Sequence, residues 1–270
     1  MSAKAVFLAA DGRFVATELA RGPWDPAAQH GGAPAGLLMR ALEQLPATEG
    51  LQLSRVTYEF LRPVPLGELF VRVEVARRGR RVQLLEGSLM TGDGVEVVRA
   101  RALQVRAADA GAALRSAAGG DAGAPGAMPP GPEQGRPNDV QPPFAPMFAP
   151  DAVEVRFVAG AFHAAGPATA WFRLRVPLVA GEQPTALQRL AVAGDFGNGI
   201  SQALSWDEYM FINPDLTLYI GRPPAGEWIA LQSRTRIAAG GIGLAESVLY
   251  DERGQLGHAT QALLVAPRGS

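Results

Sequence analysis

The sequence predicts an α+β fold that contains the same module twice, each copy being an antiparallel sheet packed on one helix. A repeat at a spacing of 160 residues indicates the duplication. Runs in which apolar residues occupy every second position indicate strands with one buried face. A stretch with apolar residues at helical spacing follows a glycine turn, and it indicates the helix that covers this face.

The repeat is clearest in two runs, VTYEFLRP at residues 56–63 and LTLYIGRP at residues 216–223. Both runs alternate apolar residues with other residues, and both end in Arg-Pro. At the same spacing Glu86 corresponds to Glu246. The similarity therefore extends through several strands, which favours duplication of a whole domain over a chance match.

A change of composition divides the chain into three segments. Residues 107–150 are rich in Ala, Gly and Pro and lose the apolar periodicity, which predicts a linker between the copies. The N-terminal module then spans residues 1–106, and the C-terminal module, with the candidate catalytic residues, spans residues 151–270. The proline-rich end of the linker is interpreted as a plain tether, as an ordered strap on the folded surface or as an interaction peptide.

In the first copy the pattern predicts a short strand near residues 14–19, a glycine turn at residues 29–32 and a helix over residues 33–45. The helix is predicted because five apolar residues recur at helical spacing, namely Ala35, Leu38, Met39, Leu42 and Leu45. Strands with period-two alternation follow at residues 56–60, 71–75, 82–90 and 95–105.

The second copy repeats this order of elements. Strands are predicted at residues 153–158 and 170–176, and a helix from about residue 195 to residue 207. Further strands are predicted at Leu216, Trp228, Ile242 and Leu256. The glycine-rich stretch at residues 194–199 stands at the start of the predicted helix, where Asp195 is a candidate N-cap.

Composition argues against several classes of function. Charges nearly balance, with 25 Lys and Arg against 26 Asp and Glu, and no long basic run suggests nucleic-acid binding. The absence of cysteine excludes disulfides and thiolate catalysis, and the three histidines lack metal-ligand spacing, so we expect no metal site. No segment is long enough for a membrane span or a signal peptide. We expect a soluble, cytoplasmic protein.

Four motifs in a fixed order resemble one family. They are HGGAPAGLLMRAL at residues 30–42, YEFLRPVPLG at 58–67, NPDLTLYIGRPPAGEW at 213–228 and YDERGQLGHATQALL at 250–264. Together they resemble the acyl-CoA thioesterase II type within the thioesterase superfamily. The resemblance implies a double hot-dog fold, in which two antiparallel sheets join edge to edge and each wraps on a central helix.

The resemblance also implies an activity, the hydrolysis of an acyl-CoA to the free acid and CoA by a water molecule that an Asp, a Gln and a Ser or Thr hold. It implies no cofactor, and it leaves open assembly into homo-oligomers. The alternative is a non-catalytic or degenerate acyl-CoA-binding protein. A hydratase of this fold needs an Asp followed by a His on the central helix, and neither predicted helix has that pair.

Asp215 and Gln261 match two of the three expected positions. Asp215 replaces the Arg55 of the first copy, and Gln261 replaces Arg101, so the resemblance implies that the second copy is the reactive one. Both residues have a simpler interpretation. Asp215 follows Asn-Pro and suits the start of a strand, and Gln261 suits an exposed edge strand.

Thr235 is the candidate for the hydroxyl, and Ser233 is its alternative because both lie on one face of the same predicted strand. His30, Gly31 and Gly32 open the first helix and are candidate substrate-binding residues, since N–H groups at a helix N-terminus bind anions. A tight turn that merely needs glycine is the simpler interpretation.

The acyl pocket is expected between the helices and the sheets, as ligand sites are usually apolar. Tyr58 is the candidate substrate-binding residue on a strand. The expected lining comprises Leu38, Tyr58, Phe60, Trp206, Tyr209, Met210 and Phe211. The same side chains would also suit an ordinary core.

Overall fold

The computed structural model describes residues 4–46, 48–109, 127–139 and 141–268. The strands of the first half are β1 (Phe7–Ala10), β2 (Arg13–Ala16), β3 (Leu51–Phe60), β4 (Gly67–Arg77), β5 (Val82–Thr91) and β6 (Glu96–Arg106). Those of the second half are β7 (Arg136–Pro137), β8 (Val153–Ala159), β9 (Ala168–Leu174), β10 (Tyr209–Ile212), β11 (Asp215–Ile220), β12 (Ile229–Ile237), β13 (Ile242–Asp251) and β14 (Gly254–Pro267). The α-helices are α1 (Gly32–Glu43), α2 (Ala186–Gly194) and the single turn α3 (Gly197–Ile200).

The 14 strands form one sheet in the order β1-β2-β4-β5-β6-β3-β11-β14-β13-β12-β9-β8-β7, and β10 pairs with β14 beside this path. Each strand pair in it is antiparallel. The prediction of antiparallel strands in both halves is therefore confirmed. In β11 the residues Leu216, Leu218 and Ile220 are buried while Thr217 and Tyr219 are more exposed, which matches the predicted alternation.

The two halves meet at the pair formed by β3 and β11. Thr217 lies opposite Thr57, and the residues on either side pair in the same symmetric way: Leu216 lies opposite Tyr58, and Leu218 lies opposite Val56. Each strand thus meets its own repeat equivalent at the centre of the sheet. The two halves share one hydrophobic core as a result.

The helices α1 and α2 pack against each other, and α1 also contacts β4, β5 and β6. Glycine makes the close helix contact possible. A Cβ atom on Gly32 would lie 2.6 Å from the carbonyl oxygen of Val192, and one on Gly36 would lie 2.8 Å from Cγ2 of Val192. In the ranges that the structure describes, no helix is long and apolar enough to cross a membrane.

The helix predicted from about residue 195 to residue 207 is wrong. Helix α2 begins earlier, because Thr185 caps it by accepting a hydrogen bond from the Gln188 N–H at 3.2 Å. The glycines of residues 194–199 end this helix, as expected from their low helix propensity, and only the turn α3 follows. Asp195 is therefore at the C-terminal end of α2 and does not serve as an N-cap.

The described part of the predicted linker lies on the folded surface. Pro130 accepts a hydrogen bond from Nε1 of the buried Trp171 at 2.7 Å, and β7 pairs with β8. Further along, Phe148 is completely buried in the core shared by both halves. These contacts favour the ordered strap over the plain tether for residues 127–139 and 141–150; residues 110–126 and 140 of the linker lie outside the described residues.

Candidate active site

The carboxylate of Asp195 lies where the C-terminal end of α2 meets the start of α1, and the residue is only 5% exposed. Asn213 donates a hydrogen bond to its Oδ1 from Nδ2 at 2.8 Å, and Gln261 donates from Nε2 at 3.3 Å. Its Oδ2 lies 3.1 Å from Nδ1 of His30. Both halves of the chain therefore contribute to this cluster.

Two glycines, Gly31 and Gly194, allow close packing around the end of α2 that carries Asp195. A Cβ atom on Gly31 would lie 2.7 Å from Oδ2 of Asp195. On the neighbouring turn, a Cβ atom on Gly194 would lie 2.6 Å from Cδ2 of Leu218 in β11. A larger residue at Gly31 would displace the carboxylate of Asp195, and one at Gly194 would displace the side chain of Leu218, on which the end of α2 packs.

Gln261 projects from β14 into the space below α3 and is 1% exposed. Its Oε1 accepts a hydrogen bond from the Asn198 N–H at 3.1 Å, which leaves the Nε2 amide to donate to Asp195. Nε2 also lies 3.3 Å from the carbonyl oxygen of Asp195. The amide is therefore fixed in one orientation, with its donor directed at the carboxylate.

The imidazole ring of His30 packs between aromatic side chains beside the Asp195 carboxylate. Its imidazole stacks on Phe196 with ring centroids 4.3 Å apart, and it contacts Phe148 at 5.1 Å. Its Nδ1 also lies 3.0 Å from the backbone nitrogen of Gly32, within hydrogen-bond distance. The candidate residues His30, Gly31 and Gly32 are thus brought together at the N-terminus of α1, next to Asp195.

The carboxylate of Asp215 is not part of this cluster, although the backbone carbonyl oxygen of Asp215 accepts a hydrogen bond from Asn213 Nδ2 at 3.2 Å. Because side chains alternate along a strand, Asp215 lies on the face of Thr217, opposite the face of Leu216 that packs inward. Its Oδ1 accepts a hydrogen bond from the Ala262 N–H at 2.7 Å. Burial raises the pKa of Asp215, the Ala262 N–H opposes this effect, and the nearby carboxylate of Glu59, the residue opposite on β3, adds to it.

The hydroxyl candidates also lie apart from Asp195. Thr235 Oγ1 is 2.9 Å from Ser201 Oγ, which in turn donates to the carbonyl oxygen of Gly197 at 2.8 Å. Ser233 pairs with Ser247, with the two oxygens 2.7 Å apart. Both candidates lie in a polar patch on the sheet below α3. Gln261 is at the edge of this patch.

Tyr58 is fully buried, and its hydroxyl has no hydrogen-bond partner among the described residues. Burial raises the pKa of this phenol, and the nearby Glu43 carboxylate adds to the effect. Leu38 and Phe211 are also core residues, whereas Phe60, Trp206, Tyr209 and Met210 are partly exposed. The expected acyl pocket stays a prediction.

Sequence reasoning missed Asp195 as a member of the site, and it did not single out Asn213. The sequence predicts a cap at Asp195 because it predicts that the second helix starts there. The signal that was available is the sequence Gly194-Asp195 itself: a charged residue directly after a glycine, at the end of an apolar run that begins after Thr185. Nothing in the sequence around Asn213 points to its contact. Among the described residues, no cluster of side chains could hold a metal ion.

Comparison with known proteins identifies the family. Residues 20–105 match the model of the acyl-CoA thioesterase N-terminal domain, and residues 123–265 match the model of the acyl-CoA thioesterase C-terminal domain. No curated protein matches the chain.

Several solved structures share the fold. A putative thioesterase from Novosphingobium aromaticivorans is 23% identical with a TM-score of 0.71, covering 97% of this chain and 99% of that one. A putative thioesterase II from Thermobifida fusca is 20% identical with a TM-score of 0.68, covering 95% and 93%. A conserved protein with a hot-dog fold from Alicyclobacillus acidocaldarius is 18% identical with a TM-score of 0.70, covering 97% and 96%. The fold is thus of the hot-dog type, and with both domain models matched in order, the chain belongs to the acyl-CoA thioesterase family.

Proposed function

We propose that this protein hydrolyses acyl-CoA thioesters and that Asp195 takes the proton from the attacking water. The observation that carries the proposal is the cluster around Asp195, in which Asn213, Gln261 and His30 contact one nearly buried carboxylate. A carboxylate that is held in place and shielded from bulk water suits a general base. The family match supports acyl-CoA as the substrate class.

The N-terminus of α1 is the group best placed to stabilise the negative charge that grows on the thioester oxygen. Thioester hydrolysis needs N–H donors at this oxygen, and the N–H groups of Gly31 and Gly32 lie at a helix N-terminus, which favours anions. The backbone of Gly31 approaches Asp195 closely, since a Cβ atom on Gly31 would lie 2.7 Å from Oδ2 of this carboxylate. The water activated by Asp195 and the N–H donors would therefore act on the same thioester carbonyl group, the water at its carbon and the donors at its oxygen.

We further propose that the two halves are two hot-dog modules joined edge to edge, a double hot-dog, with each central helix wrapped by its own strands. The symmetric pairing of β3 with β11 supports this interpretation. The module bounds of residues 1–106 and 151–270, with a linker at residues 107–150, remain our proposal. The family match to the C-terminal domain begins at residue 123, within that linker. Assembly of such units into homo-oligomers also stays a prediction.

The assignment of Asp215 and Thr235 from the sequence stays a prediction, and the contacts favour a different set. Gln261 contacts Asp195 directly, whereas Asp215 lies on the other face of the sheet and Thr235 contacts Ser201. We therefore propose that Gln261 keeps its role in the site while Asp195 and Asn213 fill the positions that were expected of Asp215 and Thr235.

The proposal is tested by following CoA release from acyl-CoA substrates of increasing chain length with a thiol reagent. The protein has no cysteine, so the reagent reports only the CoA that is released. We expect turnover with at least one chain length. Saturable binding of acyl-CoA without release of CoA at any length would favour the alternative, a degenerate acyl-CoA-binding protein.

A further inference from the structure

The Nδ1 atom of His30 has two neighbours that require it to be in opposite protonation states. The Gly32 N–H, 3.0 Å away, can only donate, so it needs an unprotonated Nδ1. Asp195 Oδ2, 3.1 Å away, can only accept while the carboxylate is ionised, so it needs an Nδ1 that carries a proton. One nitrogen cannot satisfy both partners at once.

The protonation state of Nδ1 therefore links two properties of the site. These are the charge of the Asp195 carboxylate and whether the Gly32 N–H has a hydrogen-bond acceptor. With the proton on Nδ1, the imidazole donates to an ionised Asp195 and the Gly32 N–H has lost its acceptor. With Nδ1 unprotonated, the Gly32 N–H is occupied, and Asp195 avoids repulsion by the nitrogen lone pair only if it is protonated. An ionised Asp195 and a free Gly32 N–H therefore occur together.

We propose that His30 is a positioning residue that, through its Nδ1–H tautomer, donates a hydrogen bond to the Asp195 carboxylate and leaves the Gly32 N–H free for the thioester oxygen. This inference rests on the proposed function for its role in catalysis. In the reaction, water forms the new C–O bond and passes a proton to Asp195. The C–S bond then breaks, the sulfur keeps the bonding electron pair, and the CoA thiolate takes the proton from Asp195, which restores the carboxylate.

The groups around the imidazole of His30 indicate that Asp195 is the charged residue that determines its tautomer. The rings of Phe148 and Phe196 cover the imidazole on two sides. Arg21, on the neighbouring segment, directs its guanidinium to Glu18 and to the carbonyl oxygen of Pro146. Among the described residues, Asp195 is the charged side chain in contact with His30.

The tautomer is measured directly by ¹⁵N NMR of the histidine side chains in the full-length protein. The chain has three histidines, so His30→Asn identifies the signals of His30. We expect a protonated Nδ1 in the unliganded wild type near neutral pH and an unprotonated Nδ1 in Asp195→Ala, where the Gly32 N–H becomes the partner. An unprotonated Nδ1 in the wild type would overturn the inference, whether or not the protein hydrolyses acyl-CoA.

The catalytic consequence is tested with two variants of His30. His30→Phe keeps the ring stacking but removes the donor to Asp195, so we expect kcat to fall about 10- to 100-fold, the range for a lost hydrogen bond to a charged group, with KM within about twofold because the substrate contacts remain.

His30→Asn is the conservative variant, because its amide can donate to Asp195 from nearly the same place. We expect it to restore most of kcat. A purely structural role of His30 would instead lower kcat equally in both variants, which would overturn the inference while the wild-type activity still supports the proposed function. Absence of hydrolysis in the wild type would reject the proposed function itself.

Discussion

Thr57 and Thr217, which are 160 residues apart, lie directly opposite each other on β3 and β11, and their hydroxyl oxygens are 3.1 Å apart in a hydrogen bond. The two residues are also equivalent positions of the sequence repeat. Thr217 therefore marks the centre of symmetry of the sheet, and the junction between the halves is built from a single self-complementary strand pair.

The hydroxyl pair at this junction should contribute measurably to stability. In a double-mutant cycle of Thr57→Val and Thr217→Val, we expect a coupling energy of about 0.2–1 kcal/mol, as for cross-strand threonine pairs in general. The measurement is urea unfolding of the four proteins. The control is the cycle of Thr217→Val with Thr260→Val on the other side of β11, where we expect a smaller coupling. Equal coupling in both cycles would contradict the account.

Gly31→Ala should lower kcat, whereas alanine at a glycine outside the site should not. The new Cβ would lie 2.7 Å from Asp195 Oδ2 and 3.0 Å from Cζ of Phe60, so either the carboxylate or the start of α1 must move. We expect kcat to fall by about 100-fold, since small displacements of a catalytic group are costly. Gly199→Ala is the matched control, because a Cβ there meets nothing within 4 Å; an equal loss of kcat in this control would count against the explanation.

The ion pair of Arg222 and Asp251 makes stability depend on pH. Burial opposes ionisation of Asp251, but hydrogen bonds from Arg222 and from the Arg253 and Ala225 N–H groups outweigh it and lower the pKa of the carboxyl below 3.8. A lowered folded-state pKa stabilises the ionised protein above the unfolded value, and this stability is lost as pH falls through the folded value.

Asp251→Asn should therefore lower the free energy of unfolding at pH 7 by about 3 kcal/mol, the lower end for a broken buried pair, because Arg222 is 32% exposed. The difference from the wild type should narrow as pH falls below 3.8. Urea unfolding at several pH values measures this. Glu246→Gln, which breaks an exposed pair with Arg236, should cost less than about 1 kcal/mol; a similar cost for both would contradict the assignment.

Tyr58→Phe tests whether the buried phenol binds substrate. The hydroxyl has no partner among the described residues, so its removal should leave the free energy of unfolding unchanged or raise it by up to about 1 kcal/mol. We expect the KM values across acyl-chain lengths to stay the same, as measured by CoA release. A change in KM for particular chain lengths would instead support the substrate-binding role that the sequence suggested.

The strand pattern could be predicted from sequence because each strand has one buried face. Along β3 and β11 the alternating apolar residues mark this face, and the shared Arg-Pro ends align the two copies. The second helix could not be located in the same way. Its start depends on the cap at Thr185, and the glycines after Gly194 resemble the glycines that open α1 although they close α2.

The site was harder to predict because its residues come from separate elements. Gln261 was predicted because the family resemblance implies a glutamine late in the last strand. Asp195 and Asn213 meet only when the end of α2 folds over the start of β11, where a side chain at Gly194 would meet that of Leu218. Asp215 has the right residue type and a nearby position, but strand alternation turns it to the opposite face.

The most direct test of the account is the turnover of Asp195→Asn compared with Asp215→Asn on the acyl-CoA that the wild type hydrolyses best. Both changes are isosteric, remove one negative charge and keep hydrogen-bonding capacity. We expect Asp195→Asn to lower kcat by about 10²- to 10⁴-fold, the range for a lost general base, and Asp215→Asn to stay within about twofold of the wild type. A large loss of kcat in Asp215→Asn together with normal turnover in Asp195→Asn would contradict the account and favour the base assigned from the sequence.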